Sequence, residues 1–201
     1  IGSRFDQNTT VNPSTFPGYI SNLRIIKGTG LYSANFTPST APLTAVANTV
    51  LLTCQDSTFK DNSTNNFSVS SNLIGSPQIA YPFTLNPTYS AYFATNRYLS
   101  VAGFTPNWST YGNFTAEAWV FVPTFPTNPL PVFGNGSNTT IGYIYSSGSI
   151  GFGINGVNEF TSATGVFTTN TWHHIAWVRN GSNINIYLNG ISVASTSSAS
   201  T

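Results

Sequence analysis

Charged side chains are scarce in this sequence. Its 201 residues include six Lys or Arg and five Asp or Glu, which is 5% of the chain, and the net charge is +1. Soluble domains typically carry about 25% charged residues. Because a nearly neutral chain has little electrostatic attraction for phosphate groups, the composition excludes charge-driven binding to nucleic acid or to anionic membranes. Ser, Thr and Asn must provide the solubility, and such a neutral surface is typical of extracellular and virion proteins.

Methionine, disulfides and long apolar runs are also missing. The absence of Met, even at position 1, indicates a processed chain or a piece of a longer product. Cys54 is the single cysteine, so no disulfide can form within the chain. Its place in an apolar stretch predicts a buried small side chain, with a reactive or intermolecular thiol as the alternative. No apolar run reaches the roughly 18 residues that a membrane span needs, so we expect no membrane insertion.

The sequence does contain a series of short strand patterns. Aromatic residues make up 14% of the chain, which excludes a disordered tract. Residues 171–195 predict three strands joined by tight turns at Asn180-Gly181 and Asn189-Gly190. Further short strands between turn signals, without a convincing helix, predict an all-β antiparallel sandwich. These further strands are predicted at residues 18–26, 50–54, 67–70, 115–122, 141–145, 150–154 and 159–161.

Residues 171–195 resemble the W-x-H-[IV]-A-x-x-R-x-G…Y-x-N-G signature of laminin-G-like domains, also called concanavalin A-like jelly rolls. The resemblance implies an antiparallel jelly-roll β-sandwich with an extended N-terminal strand and linker. It also implies that the strand at residues 115–122 pairs with the strand that begins at the signature tryptophan. The residues that carry the resemblance are Trp172, His174, Ile175, Ala176, Arg179, Gly181, Tyr187, Asn189 and Gly190.

A second resemblance covers Phe16 to Leu43. This segment is similar to the terminal strand and tail of laminin-G-like repeats in structural and tail-fibre proteins of marine bacteriophages, especially cyanophages. In those repeats the segment follows the hairpin that here lies near the C-terminus. We therefore expect residues 1–27 to be terminal strands of a repeat, residues 28–48 a linker and residues 49–201 a laminin-G-like jelly-roll domain.

The order of these parts leaves three arrangements open. The terminal strands can close the chain's own sandwich, as in a circular permutation. They can instead complete a neighbouring sandwich, because an open sheet edge accepts an added strand. In the third arrangement, the ends only reflect where a long polypeptide was cut.

The pattern of acidic and histidine residues predicts a protein without enzymatic activity. Retaining glycosidases need two carboxylates about 5 Å apart, and jelly-roll glucanases carry theirs in a tight E-x-D-x-x-E pattern. His173 and His174 are adjacent and so point to opposite faces of a strand, where they cannot readily share a metal. The resemblance makes His174 a packed structural residue. The acidic residues of this chain do not form the glucanase pattern. They are Asp6, Asp56, Asp61, Glu117 and Glu159.

One short loop offers ligands for a metal. Many laminin-G domains bind calcium through Asp and Asn at the rim of the sandwich, since hard oxygen ligands suit that ion. Asp56 and Asp61, with Asn62 nearby, form the local acid cluster and are the candidate calcium ligands. A solvated loop without metal is the alternative, and no other cofactor is predicted.

Binding of a glycan requires an aromatic platform for a sugar ring, with amide or hydroxyl partners. Trp108 and Tyr111 lie in a polar loop, and Tyr143 and Tyr145 share one face of a strand. These four residues are the candidate glycan contacts, and burial in the core is the alternative. The other tryptophans lie on clear strands and are predicted to be core residues: Trp119, Trp172 and Trp177.

The combined prediction is a non-enzymatic structural protein of a virion, as a fibre, an appendage or a capsid decoration, located on the virion or outside the cell. Its expected partners are other copies of itself or other virion proteins, together with glycans of a host surface. Two alternatives stay open: a dedicated carbohydrate-binding adhesin, and a subunit of a non-viral extracellular filament. A virion subunit should assemble without sugar, whereas an adhesin should bind a glycan as an isolated domain.

Overall fold

The regular secondary structure in the computed structural model is all β. The described residues form thirteen strands and no helix, and every strand pair is antiparallel. This confirms the all-β fold, consistent with a jelly-roll sandwich. None of the described residues forms a helix long and apolar enough to cross a membrane. The description covers residues 1–3, 16–72, 74–75, 82–83, 89–94, 97–104, 112–125, 127–134, 140–154 and 160–197.

The strands are short, as expected from the frequent Gly, Pro and Asn between them. In chain order they are β1 (Gly18–Lys27), β2 (Thr49–Thr53), β3 (Val69–Asn72), β4 (Ala91–Phe93), β5 (Tyr98–Val101), β6 (Phe114–Phe121), β7 (Leu130–Gly134), β8 (Thr140–Ile144), β9 (Ile150–Ile154), β10 (Phe160–Thr161), β11 (Trp172–Asn180), β12 (Asn183–Leu188) and β13 (Ile191–Ser197).

Two sheets enclose the core. The larger sheet has the strand order β13-β12-β11-β6-β1-β2, and β4 adds to one end of β1. The smaller sheet has the order β10-β9-β8-β7, and β3 and β5 form a separate pair. The buried Trp177 on β11 links the two sheets, because its indole Nε1 donates a hydrogen bond of 3.0 Å to the Gly151 carbonyl on β9. The predicted pairing of β6 with β11 is confirmed, with Ile175 opposite Ala118.

Strand β6 shows how alternation divides the larger sheet into two faces. Phe114, Ala116, Ala118 and Val120 point into the core between the sheets. The intervening residues lie on the opposite face, which we call the outer face. They are Thr115, Glu117, Trp119 and Phe121.

Residues 28–48, predicted as a linker, lie across this outer face, and we call them the covering segment. The rings of Tyr32 and Phe36 stack with their centroids 3.6 Å apart, and both pack against Tyr187. Ala176 and Val178 of β11 complete this small apolar cluster. The outer face is therefore buried in part by the chain's own irregular segment, which explains why it carries apolar residues.

Strand β1 lies inside the larger sheet, between β6 and β2 of the same chain. Strict alternation of residues 19–26 would put Ile20 and Leu23 on opposite faces. Both are fully buried in the core instead, because the pairing register shifts between Ser21 and Arg24, where Asn22 has a left-handed φ of 55°. This irregularity corrects the simple alternation expected from the sequence.

Smaller differences concern turns and strand ends. Asn180 pairs with Asn183, so the first hairpin turn is Gly181-Ser182 rather than Asn180-Gly181. The strand predicted at residues 67–70 lies at β3, two residues later. Cys54 is 2% exposed, which confirms its prediction as a buried side chain. Burial raises the pKa of its thiol to about 12, so the reactive thiolate is scarce near neutral pH.

Candidate functional site

A buried polar network lies on the outer face beneath the covering segment. Glu117 is fully buried, and its Oε1 accepts hydrogen bonds from Nε and Nη2 of Arg24 at 2.9 and 2.6 Å. Its Oε2 accepts the hydroxyl of Tyr32 at 2.9 Å and Nε2 of His174 at 3.0 Å. Nη1 of Arg24 also donates to the Thr44 carbonyl at 2.7 Å. The network therefore joins β1, β6 and β11 to the covering segment.

The charges in this network fix the state of Glu117. Burial alone would raise its pKa, but the hydrogen bonds and charges of His174 and Arg24 outweigh that effect and hold the pKa below its usual range. Burial and the adjacent carboxylate raise the pKa of Tyr32, so the phenol keeps the proton that it donates. An ionised carboxylate that is closed off from solvent can hold the sheet together, but it cannot meet a substrate.

The two adjacent histidines point to opposite faces, as predicted. Nδ1 of His173 accepts a hydrogen bond from Nδ2 of Asn189 at 3.0 Å, so its proton lies on Nε2, which donates to the Thr168 carbonyl at 3.1 Å. Burial lowers the pKa of His173, although the hydrogen bond to Thr168 alone would raise it. His174 is 1% exposed and packs on the outer face against Glu117. Both rings therefore have structural contacts rather than a shared ligand.

Beside this network the outer face opens into a cleft of about 360 Å³, which we call the aromatic cleft. Strands β6 and β11 supply two half-buried tryptophans, and the covering segment supplies two hydroxyl side chains. None of the described lining residues is charged. They are Pro38, Ser39, Thr40, Pro82, Phe83, Trp119, Trp172 and Asn189.

Trp119 lines the aromatic cleft, and its indole N–H is buried. Its ring meets Phe83 edge to face, with centroids 5.6 Å apart, and lies 5.3 Å from the His174 ring. The indole Nε1 is buried without a hydrogen-bond partner among the described residues. Because a buried N–H normally has a partner, this donor is unsatisfied within the part of the chain that the structure describes.

Two of the cleft residues are tryptophans that the sequence assigned to the core. Trp177 is a core residue, but Trp119 and Trp172 are half-buried on the outer face, so the prediction was wrong for these two. Their positions on β6 and β11 give the reason. Trp119 alternates with the core residues Ala118 and Val120, so it points to the outer face. Both faces of this strand carry apolar side chains, because the covering segment buries part of the outer face.

The tyrosines predicted as glycan contacts lie elsewhere. Tyr143 and Tyr145 are half-buried on the outside of the smaller sheet, with ring centroids 6.0 Å apart. The Tyr145 ring lies against Gly151 of the neighbouring strand. These tyrosines are therefore on the other side of the sandwich from Trp119, and their role stays a prediction. Trp108 and Tyr111 lie outside the described residues.

The candidate calcium ligands have contacts of their own. Oδ1 of Asp61 accepts the backbone N–H of Leu52 and Ser63, and Oδ2 accepts the Ser63 hydroxyl and the Phe67 N–H, at 2.8 to 3.0 Å. Asp56 accepts the Asn62 amide and pairs with an exposed lysine.

Among the described residues no group of three or more His, Cys, Asp or Glu is placed to hold a metal. Calcium binding at Asp56 and Asp61 stays a prediction, and it would require Asp61 to exchange its hydrogen bonds for metal ligation. Asp6 and Glu159 lie outside the described part of the chain.

Comparison with known proteins gave one family. The family model Laminin_G_3, described as the concanavalin A-like lectin/glucanases superfamily, matches residues 93–201, which is more than half of the chain. The match includes β6 and β11 with their two cleft tryptophans, whereas β1, β2 and the covering segment precede it. Neither the comparison with curated proteins nor that with solved structures gave a match.

Proposed function

Since this chain belongs to the concanavalin A-like lectin/glucanases superfamily, we propose that it is a non-enzymatic extracellular domain that binds carbohydrate through the aromatic cleft. The observation that carries this proposal is the pairing of Trp119 and Trp172 with uncharged polar groups in one open depression. Lectins and glucanases share this superfamily by its description. The contacts of the described acidic residues bear on which of the two activities to propose.

The arrangement of carboxylates supports binding rather than hydrolysis. Glycoside hydrolysis needs two carboxyl groups on opposite sides of the scissile bond. Glu117, the acid nearest the cleft among the described residues, is fully buried and already bonded to Arg24, Tyr32 and His174. It is therefore neither reachable nor free to exchange a proton with a sugar.

The cleft offers what a neutral sugar requires. Aromatic rings present apolar faces that pack against the C–H groups of a pyranose ring. Ser39, Thr40 and Asn189 provide hydroxyl and amide groups around them. The absence of charge among the described lining residues favours a neutral ligand over a sulfated or acidic one.

We place this domain in a virion as part of a fibre, an appendage or a capsid decoration that contacts host glycans. The resemblance of Phe16 to Leu43 to phage structural proteins supports this setting, as do the low charge and the neutral polar surface. Its partners are then other virion proteins or further copies of the chain. A dedicated adhesin would bind glycans through the same cleft without assembling into a virion.

A purely structural role is the second candidate, and the edge strand β13 favours it. Residues Ile191–Ser197 form the last strand of the larger sheet, and Ile191 is 54% exposed. An exposed edge strand is a template for pairing with another chain. If this edge drives assembly, Ser195→Lys should lower the mass of the purified assembly in light scattering without affecting sugar binding.

The binding proposal is tested with a glycan array followed by calorimetry on the intact chain. We expect a neutral glycan to bind, and Trp172→Ala to weaken binding by at least about tenfold, equivalent to about 1.4 kcal/mol. Tyr143→Ala is the matched control, because it removes a half-buried ring from the other sheet. An effect of Tyr143→Ala alone would place the site at the tyrosines of the smaller sheet instead, and equal losses for both variants would overturn a specific role of the cleft.

A further inference from the structure

Four aromatic side chains form a row across the outer face. They are on four neighbouring strands, and each is directly paired with the next in the sheet register. Tyr92 of β4 pairs with Tyr19 of β1, Tyr19 with Phe121 of β6, and Phe121 with Trp172 of β11. The row therefore runs perpendicular to the strands, and we call it the aromatic row.

The rings of the aromatic row are in contact with one another and open to solvent. The centroid distances are 4.8 Å from Tyr92 to Tyr19, 6.0 Å from Tyr19 to Phe121 and 5.7 Å from Phe121 to Trp172. Tyr92 is 38% exposed, and the other three are half-buried. Trp172 also lines the aromatic cleft. The row thus continues the cleft toward the other end of the outer face.

The spacing of the row suits a chain of sugars. Neighbouring strands lie about 4.8 Å apart, so three intervals between four strands span about 14 Å. The repeat of a pyranose chain is close to one strand spacing, so successive sugars can meet successive rings. The row carries no charge, and two of its members add phenolic hydroxyls, which again fits a neutral ligand.

The tilt of the rings selects the form of the polysaccharide. Neighbouring rings of the row are inclined by 42° to 73° to one another. A flat crystalline polysaccharide needs coplanar rings, whereas a single twisted chain can follow rings that turn from one strand to the next. The geometry therefore points away from an insoluble crystalline surface.

We propose that the aromatic cleft and the aromatic row together bind one soluble, neutral polysaccharide chain over about three or four sugar units. One sugar lies in the cleft at Trp172, and the following units lie over Phe121, Tyr19 and Tyr92. This inference rests on the proposed carbohydrate-binding function and deepens it by naming the class and the length of the ligand.

The test is calorimetry with neutral glucose, galactose and mannose oligomers, from the monosaccharide to the hexasaccharide. We expect affinity to rise with length up to the trimer or tetramer and then to level off. Tyr92→Ala should weaken binding of the tetramer by about tenfold and leave the monosaccharide unchanged, whereas Tyr92→Phe should retain the affinity. Thermal unfolding of each variant monitors the fold.

The outcomes separate this inference from the function on which it rests. Binding that is lost with Trp172→Ala but is insensitive to oligomer length and to Tyr92→Ala would overturn the row and leave the cleft as the site. Binding to crystalline polysaccharide alone would also overturn the proposed ligand form. A concentration-dependent dimer that Tyr92→Ala abolishes would make the row an interface between copies. No binding by any oligomer would overturn the row, and a glycan array without a bound glycan would overturn the proposed function with it.

Discussion

Arg24 on β1 and Glu117 on β6 face each other directly in the sheet register, and the guanidinium donates two hydrogen bonds to a single carboxylate oxygen. The side chain of Arg24 is 6% exposed and that of Glu117 is fully buried. Because Tyr32 of the covering segment also bonds to the carboxylate, this pair holds the irregular segment against the outer face. The cleft that we assign to carbohydrate is bounded by the same segment.

Glu117→Gln should destabilise the fold by about 3–5 kcal/mol, because it leaves the buried Arg24 charge without its counter-charge. Asp56→Asn is a matched control, since Asp56 pairs with Lys60 at 3.4 Å on the surface, where ion pairs contribute about 0–1 kcal/mol. Urea unfolding followed by tryptophan fluorescence measures both. Equal changes in the free energy of unfolding for the two variants would mean that the buried pair has no special role.

His173 should make stability depend on pH in the weakly acidic range. Burial lowers its pKa in the folded chain from the ordinary value of 6.5, so below that pH the unfolded chain binds a proton that the folded chain refuses. The contribution is complete above the unfolded pKa and declines as pH falls through 6.5 toward the folded pKa. Urea unfolding at pH 8 and pH 5 should therefore show a larger decrease for the parent than for His173→Gln.

The larger loss of stability expected for the parent than for His173→Gln at low pH has a geometric reason. Nδ1 accepts a hydrogen bond from the Asn189 amide, so a second ring proton would face a donor. Comparing the two proteins removes every other titrating group, because all of them are common to both. Parallel pH profiles for parent and variant would show that the imidazole titrates alike in the folded and unfolded chains.

The strands of the larger sheet could be predicted from local patterns, but the site could not. Residues 172–179 are rich in β-branched and aromatic side chains and a turn follows them, which is sufficient to predict β11 and its hairpin. The ion pair between Arg24 and Glu117 joins residues 93 positions apart. No local pattern indicates such a pair, so the sequence did not connect Glu117 with Arg24.

The same limit explains the two tryptophans of the cleft. Residues 115–122 alternate correctly, yet apolar side chains occupy both faces of the strand. Only the packing of the covering segment on Tyr187 and Val178 shows that the second face is an outer one. The irregularity at Asn22 was hidden for a similar reason, because its side-chain oxygen accepts hydrogen bonds from Leu43 and Gln55, which are distant in sequence.

Gly190→Ala should release the covering segment from the outer face. Gly190 has a φ of +81°, and a Cβ at this position would overlap the carbonyl oxygen of Phe36. Gly181→Ala is the matched control, because its φ is +62° in the neighbouring hairpin turn and nothing lies within 4 Å of its Cβ. The backbone strain is then similar, about 1–2 kcal/mol, and only the first variant adds the clash.

We expect Gly190→Ala to lower the free energy of unfolding more than Gly181→Ala does, and to expose Tyr32 and Phe36 to cleavage by chymotrypsin. Urea unfolding and limited proteolysis measure the two effects. Cleavage in the covering segment at the same rate in both variants would show that the contact between Gly190 and Phe36 does not hold it.

Removal of residues 1–27 should prevent the chain from folding, because it takes away β1 from its place between β6 and β2. This strand buries Ile20, Leu23 and Ile25 in the main core. Circular dichroism and light scattering of the shortened chain test the expectation, and Leu23→Ala, at a cost of about 2–5 kcal/mol, tests it in a chain that still folds. A shortened chain that stays folded and monomeric, while the full chain forms polymers, would show that β1 is donated to a neighbouring copy.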